Sequence, residues 1–242
     1  EYIFEECCRI NVEVEYASEF RYRNPVIFED DVLVAISQSG ETADTLAAVE
    51  LAKSKGATIF GVCNVVGSSI PRATHAGAYT HAGPEIGVAS TKAFLTQIVA
   101  VYLIGLKLAQ VRATLTDAQV KSLYTEMLEL PGQVEQILET IEPLRELTRK
   151  FAQNDTVLFL GRGIAYPVAL EGALKLKELA YIHAEGFAGG ELKHGPIALI
   201  EEGTAVIAIL PPKDEHALDE KMLSNIQEVK ARGARVVVIA PE

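Results

Sequence analysis

Three hydroxyl side chains flank a glycine in one short polar stretch, residues 37–42 (SQSGET). The hydroxyls of Ser37, Ser39 and Thr42 can donate hydrogen bonds, and Gly40 lets the backbone come close to a ligand. These residue types at this spacing predict a pocket for a phosphate or another compact oxyanion. A tight turn with a helix cap, without any ligand, uses the same residue types and stays open as the alternative.

The residues around this stretch predict the elements that would position it. Residues 32–36 (VLVAI) have the apolar, β-branched pattern of a fully buried, central strand. A helical pattern opens at Thr42 and runs to about Lys55, where Gly56 stops it. The polar stretch would therefore lie where a strand ends and a helix begins, and the unpaired N–H groups and dipole of that helix end favour anions.

A second set of candidates is ionisable. Glu171, Lys175 and Glu178 share one face of a predicted helix at positions i, i+4 and i+7. The helix follows a glycine turn at a strand's carboxyl end, which is where α/β folds bind ligands. A solvated ladder of ion pairs is the alternative.

Residues 183–196 predict a long loop that is dense in glycine and ionisable side chains. Within it, His194 could titrate near neutrality and move a proton, although a loop histidine without function fits the same pattern. No set of Cys, His and Asp has metal-ligand spacing, so no metal site is predicted. Gly161-Arg162-Gly163 lacks the third glycine of a dinucleotide fingerprint.

Composition narrows the class of protein. The 242 residues are 49% hydrophobic, which predicts a globular chain, and the net charge of −11 argues against nucleic-acid or anionic-membrane surfaces. Three cysteines without a CxxC pair, and no signal peptide, predict a reducing cytoplasm. The longest apolar run, about Ile98–Leu106, is shorter than the ~20 residues of a membrane span and predicts a buried core helix.

The order of elements predicts an α/β fold with parallel sheets covered by helices. Strands are predicted at Asn11–Tyr16, Val32–Ile36, Ala57–Cys63, Ala76–Ala82, Thr156–Leu160, Ala205–Ile209 and Arg235–Ile239. Helices are predicted at Thr42–Lys55, Ser90–Gln110, Thr116–Leu130, Gln133–Gln153, Ala165–Ile182 and Asp219–Arg232, with Pro131-Gly132 between the third and fourth. Ser90 or Thr91 is the expected cap of the second helix.

One strand–helix–strand unit occurs twice. Residues 32–57 and 205–234 share the order of an apolar strand, a helix, a basic residue, Gly and Ala, with four more residues in the second copy. The repeat predicts two related doubly wound domains. The second copy has Pro211-Pro212 where the first has its polar stretch, and proline lacks the N–H that anion binding uses.

Four motifs resemble a known family in type and in order. Residues 37–45 (SQSGETADT), 85–93 (EIGVASTKA), 170–178 (LEGALKLKE) and 190–196 (GELKHGP) resemble the isomerase region of glutamine–fructose-6-phosphate aminotransferase, as do residues 14–23. The resemblance implies two sugar isomerase (SIS) domains, 1–140 without its first strand and 141–242 incomplete at its carboxyl end.

The resemblance also implies roles for single residues. Ser37, Gln38, Ser39 and Thr42 match the family's sugar-phosphate loop, and Val88 and Ser90 match residues that line the sugar. Glu178 matches the general base that moves a proton between C1 and C2 of the open-chain sugar. His194 matches the histidine that assists ring opening, usually in the partner subunit's site, and Lys175 matches a lysine beside the reacting carbons.

The implied reaction converts fructose 6-phosphate and ammonia to glucosamine 6-phosphate without a metal or organic cofactor. The implied partners are a second copy in a homodimer and a glutaminase domain that supplies ammonia; that domain and a carboxyl-terminal tail with an active-site lysine have no counterpart in these residues. Two other functions stay open: a non-catalytic SIS sugar-phosphate sensor, and a SIS deglycase or ammonia-dependent relative acting on another phosphosugar.

Overall fold

A computed structural model describes residues 1–213 and 216–241. In this part of the chain, seven strands form two parallel sheets with helices packed against them, which confirms the predicted α/β class. The chain divides into two compact units, residues 1–131 and 132–242. The division falls in a helix shortly before the boundary predicted at residue 140.

The first unit holds a three-stranded parallel sheet in the order β1-β2-β3. Its core lies between this sheet and the helix that follows β1, around Val49, Ile59 and Ile70. The elements are a π-helical turn Phe4–Cys8, α1 Ala17–Phe20, β1 Val32–Ser37, α2 Ala43–Ser54, β2 Thr58–Cys63, α3 Ser69–Ala73, β3 Ala76–Tyr79, α4 Lys92–Arg112 and α5 Asp117–Met127.

Strand β1 differs from the prediction in its surroundings. Among the residues that the structure describes, it pairs with β2 alone, so it lies at the edge of this sheet and not at its centre. Val32 is 63% and Ile36 47% exposed, so the prediction of full burial was also wrong. The apolar pattern identified the strand, but it could not tell an edge from a centre because both use β-branched residues.

The residues predicted as a first strand, Asn11–Tyr16, have no strand structure. Two of the three alternating apolar side chains face solvent, since Val14 is 72% and Tyr16 83% exposed, while Val12 packs against the cluster around Phe4 and Cys8. Alternation alone predicted a strand here, but a strand also needs a neighbour to complete its hydrogen bonds.

The apolar helix α4 has the predicted length but is less buried than predicted. The helix has 21 residues and is long and apolar enough to cross a membrane. Its most apolar 18-residue window has a mean hydropathy of 1.7, and 22% of that window is buried. The prediction of a buried core helix was therefore wrong. One such helix is weak evidence for a membrane span, since helices of soluble proteins pass the same test. One face is covered here: the Cys8 thiol donates to the carbonyl of Gly105, 3.0 Å away.

The second unit holds a four-stranded parallel sheet in the order β5-β4-β6-β7. Its two cores pack on either face of the sheet, one around Leu158, Val206 and Met222, and one around Phe159 and Ala173. The elements are α6 Leu130–Glu139 (which begins in the first unit), α7 Ile141–Phe151, β4 Thr156–Gly161, α8 Ala165–Ala180, β5 His183–Ala188, 3-10 turns Gly189–His194 and Pro196–Leu199, β6 Ala205–Ile209, α9 Leu218–Lys230 and β7 Arg235–Ile239.

Three predictions for residues 131–196 were wrong. The single helix predicted at Gln133–Gln153 is two helices, α6 and α7, which are separated at Thr140. Residues 183–196 are not an irregular loop, because β5 pairs with β4 along its length and 3-10 turns follow it. Gly186 explains the misreading: a Cβ there would lie 2.9 Å from the Cα of Leu170, so glycine serves the close contact of strand and helix. Pro131 lies inside the first turn of α6, where proline is tolerated, and not between two helices.

The repeated unit is present in both copies. The parallel pair β1 and β2 has α2 between its strands in the sequence, and the parallel pair β6 and β7 has α9. In each copy a glycine with positive φ follows the helix, Gly56 at +95° and Gly233 at +88°. The stretch 37–42 therefore begins at Ser37, the last residue of β1, and lies at the carboxyl end of that strand, as predicted.

Candidate functional site

The hydroxyls predicted to bind an anion lie together at the end of β1. The buried Ser37 Oγ accepts a hydrogen bond from the N–H of Gly40 at 3.0 Å and lies 3.2 Å from Thr42 Oγ1. Ser39 Oγ accepts from the N–H of Glu41 at 3.2 Å. These bonds fold the segment into a compact turn, which we call the serine loop (residues 37–42).

The serine loop rests on the segment that leads into α3. Gly40 has φ +67°, and a Cβ on it would overlap the side chain of Ser68. The Gly40 carbonyl accepts from the N–H of Ile70 at 2.9 Å, and Glu41 Oε1 accepts from the N–H of Ser69 at 2.8 Å. Hydrogen bonding to the Ser69 side chain, and then to its N–H, holds the pKa of Glu41 below its usual range. Position 40 therefore needs glycine for its backbone angle and for this close contact.

The N-terminus of α2 is open. Its N-cap residue, Thr42, makes no side-chain capping bond, because its hydroxyl is turned toward Ser37. The acidic residue of the first turn, Asp44, is engaged by Arg21 at 2.8 Å. The first-turn N–H groups of a helix have no partner within it, so this end offers donors and a positive dipole to an anion.

A concave pocket of about 290 Å³ lies beside the serine loop. It is formed by residues that follow three neighbouring strands of the first sheet: Gln38 after β1, Asn64 and Val65 after β2, and His81, Gly83 and Pro84 after β3. Because carboxyl ends of parallel strands meet at one edge of a sheet, the pocket lies where ligands of α/β folds bind.

The second glycine- and hydroxyl-bearing loop, residues 85–91, ends differently. The Glu85 carboxylate accepts hydrogen bonds from the N–H groups of Thr91 at 3.3 Å and Ala93 at 3.0 Å, so Glu85 caps α4. The bond from Ala93 is the main reason that the pKa of Glu85 is lowered. The prediction that Ser90 or Thr91 is the N-cap residue is confirmed for Thr91, but the Thr91 hydroxyl makes no capping bond to the helix. Val88 is 91% exposed, and neither it nor Ser90 lines the pocket.

In the second unit, the predicted trio lies together on α8. Lys175 Nζ is 2.5 Å from Glu178 Oε2 and 3.4 Å from Glu171 Oε1, and the three side chains are 22–31% exposed. Burial acts to lower the pKa of Lys175, but the hydrogen bond that Lys175 donates to Glu178 and the charges of both carboxylates outweigh it, so this pKa is raised. The trio is half-buried and thus differs from a fully solvated ladder.

His194 is exposed at the end of the first 3-10 turn, before Gly195 at φ +148°. The neighbouring Lys193 pairs with Glu228 at 3.0 Å. Within residues 1–213 and 216–241, no three His, Cys, Asp or Glu side chains are grouped to hold a metal ion.

Sequence analysis missed three residues that shape the site: Glu41, Asn64 and Glu85. Asn64 had a signal, because it is a polar residue directly after a buried strand, at the ligand-binding edge of the sheet. The two glutamates had none, since a capping carboxylate looks like any surface acid until its helix end is placed.

Comparisons with known proteins agree with this architecture. A SIS domain profile matches residues 1–107 and 150–242. Glutamine–fructose-6-phosphate aminotransferases (isomerizing) from Mycolicibacterium paratuberculosis and Bacteroides thetaiotaomicron are 60% and 56% identical over 100% and 98% of the chain, which spans only 39% and 38% of their lengths. The C-terminal domain of glucosamine-fructose-6-phosphate aminotransferase from Francisella tularensis superimposes with a TM-score of 0.95 at 43% identity, covering 99% of this chain and 67% of that one.

Proposed function

The chain belongs to the SIS domain family, and from that premise we propose that it is the sugar-phosphate isomerase part of a glutamine–fructose-6-phosphate aminotransferase. The reaction turns fructose 6-phosphate and ammonia into glucosamine 6-phosphate. Identity of 56–60% over nearly the whole chain supports the resemblance found in the sequence. Residues 1–140 and 141–242 would then form two SIS domains.

The open N-terminus of α2 carries this proposal. The phosphate group of the sugar would bind there, held by first-turn N–H groups and by the hydroxyls of Ser37, Ser39 and Thr42, with Gln38 and Gly40 completing the loop. The Ser37 and Thr42 hydroxyls now bond to each other and that of Ser39 accepts from the Glu41 N–H, and each hydroxyl can rotate to donate to a phosphate oxygen. An acidic protein can bind an anion in this way because local dipoles, and not net charge, supply the attraction.

The proton transfer is assigned to α8. Glu178 would act as the base that takes a proton from one of the carbons C1 and C2 and returns it to the other, a step that one positioned carboxylate can perform. Lys175, kept protonated by its raised pKa, would stabilise negative charge that develops on the sugar. His194 would assist ring opening, and Val88 and Ser90 would line the sugar. This assignment includes no metal or organic cofactor.

The proposed assembly and location follow from the resemblance and the cysteine pattern found in the sequence. Ammonia would come from a glutaminase domain outside these residues, the active form would be a homodimer, and the protein would act in the cytoplasm.

The test is glucosamine 6-phosphate formation by the full-length protein carrying Glu178→Gln. We expect kcat to fall by roughly 10²–10⁴, the usual worth of a general base, while fructose 6-phosphate still binds. Glu171→Gln is the matched control, because it makes the same change on the same helix face and should keep most of the activity. Unchanged turnover in Glu178→Gln would remove this residue from the chemistry. Wild-type protein that binds the sugar phosphate without turning it over would instead be a sensor.

A further inference from the structure

Asn64 is the residue at which the three loops of the pocket are joined. It directly follows β2, the middle strand of the first sheet, so it lies between the loops after β1 and β3. Its backbone N–H donates to the carbonyl of Gln38, in the serine loop, at 3.3 Å. Its side chain is turned the other way, toward the loop after β3.

That side chain is 8% exposed and nearly saturated with hydrogen bonds. Oδ1 accepts from the Thr80 hydroxyl at 3.0 Å and from the N–H of Ala82 at 2.8 Å, and Nδ2 donates to the carbonyl of Gly83 at 2.7 Å. An amide offers two acceptor lone pairs and two donors, so both lone pairs and one donor are used by a single turn. An apolar residue of the same size could replace none of these bonds, and aspartate could not donate to Gly83.

The turn held by Asn64 is one wall of the pocket. His81, with φ +51°, and Gly83 and Pro84 face Gln38 across the cavity. The chain then continues directly into Glu85, which caps α4. The position of this wall relative to the serine loop therefore depends on one buried amide, together with the backbone bond to Gln38.

We propose that Asn64 is a positioning residue for the sugar: it fixes the wall 80–84 against the serine loop, so that the part of the substrate beyond the phosphate meets a preformed pocket. This inference rests on the proposed function. Asn64 does not touch the phosphate in this scheme. Its loss should therefore weaken binding of the whole sugar phosphate more than binding of phosphate alone, because the serine loop and the α2 N-terminus remain.

The experiment measures dissociation constants of fructose 6-phosphate and inorganic phosphate, and KM and kcat, for Asn64→Leu in the full-length protein. We expect the fructose 6-phosphate dissociation constant and KM to rise about tenfold, the effect of losing about 1.4 kcal/mol, with less than a threefold change for phosphate and in kcat. The matched control is Asn154→Leu, which removes a similar amide bond, to the carbonyl of Gly203 at 3.1 Å in the second unit, and should leave both constants unchanged.

Several outcomes would overturn the inference. One is an unchanged dissociation constant for fructose 6-phosphate. Another is an equal loss of affinity for fructose 6-phosphate and phosphate, which would indicate that the whole site is disturbed. If Asn64→Leu does not fold, Thr80→Val tests the same role, because it removes one hydrogen bond to Asn64 Oδ1. We expect the dissociation constant of fructose 6-phosphate to rise about threefold and that of phosphate to stay unchanged. No rise in that variant would reject the role of Asn64. Wild-type protein that fails to bind fructose 6-phosphate would instead reject the proposed function.

Discussion

Two loops of the first unit contain similar residues but differ at the helix that follows each of them. The helix after one loop has an open N-terminus, and the helix after the other is capped by a carboxylate. The serine loop and residues 85–91 both combine glycine with Ser and Thr and both lead into a helix. At α2 the cap residue turns its hydroxyl away, and the helix end is left open. At α4 the carboxylate of Glu85 occupies the corresponding place. One helix end can receive an external anion, and the other already holds an internal one.

The difference teaches that hydroxyls and glycines alone do not define an anion site. A carboxylate six residues before a helix cap can close it, as Glu85 does for Thr91. The acidic residue of the serine loop, Glu41, is directed instead at the start of α3, where it accepts from Ser69. The place to which each glutamate bonds therefore separates the open helix end from the closed one.

The largest expected effect comes from changing the geometry of the open loop. Gly40→Ala adds a Cβ that overlaps Ser68 at a positive φ, so it should lower the free energy of unfolding by about 2–5 kcal/mol. Sugar-phosphate binding should also be lost. Gly67→Ala is the control, because its φ is also positive, +75°, but nothing lies within 4 Å; it should cost about 1–2 kcal/mol. Urea unfolding would measure both, and equal costs would contradict the tight contact.

A smaller effect separates the two serines of the loop. Ser37→Ala leaves the buried N–H of Gly40 without an acceptor and should lower the free energy of unfolding by about 1–3 kcal/mol. Ser39→Ala should change stability by less than about 0.5 kcal/mol but weaken fructose 6-phosphate binding by about 1.5–3 kcal/mol, the worth of a hydrogen bond to a charged group. Calorimetric titration with the sugar phosphate checks the second value, and an unaltered dissociation constant would count against the site.

The capping of α4 by Glu85 should make the stability of the protein depend on pH. The pKa of Glu85 is lower folded than its ordinary value of 4.5, so its contribution to stability is present above that value and is lost as pH falls through the folded pKa. Glu85→Gln should therefore lower Tm at pH 7, and the difference from wild type should shrink below pH 4.5. Thermal melts across this range would check it, and a difference independent of pH would contradict the capping role.

The smallest effect is expected at the exposed tip of the closed loop. Val88 is 91% exposed, so Val88→Ala should leave the free energy of unfolding within about 0.5 kcal/mol of wild type. If Val88 lines the sugar, KM for fructose 6-phosphate will rise while Tm stays constant. Steady-state kinetics beside a thermal melt distinguishes this outcome from a surface residue without a role.

What could be read from the sequence was local. Strands such as Thr156–Gly161 and the serine loop follow from apolar runs and turn residues, and Lys175 with Glu178 follows from helical spacing. What could not be read depends on neighbours distant in the sequence. The edge position of β1, the pairing of β5 and the capping bonds of Glu41 and Glu85 each need a partner that local periodicity does not specify.

The ion-paired trio on α8 has one further consequence. The trio contains one ammonium and two carboxylates, so one carboxylate can become neutral without leaving the ammonium unpaired. If Glu178 accepts a proton as proposed, Lys175 still has Glu171 within 3.4 Å and keeps an ion-pair partner in its half-buried position. The proposed proton transfer through Glu178 would therefore need little electrostatic rearrangement around α8.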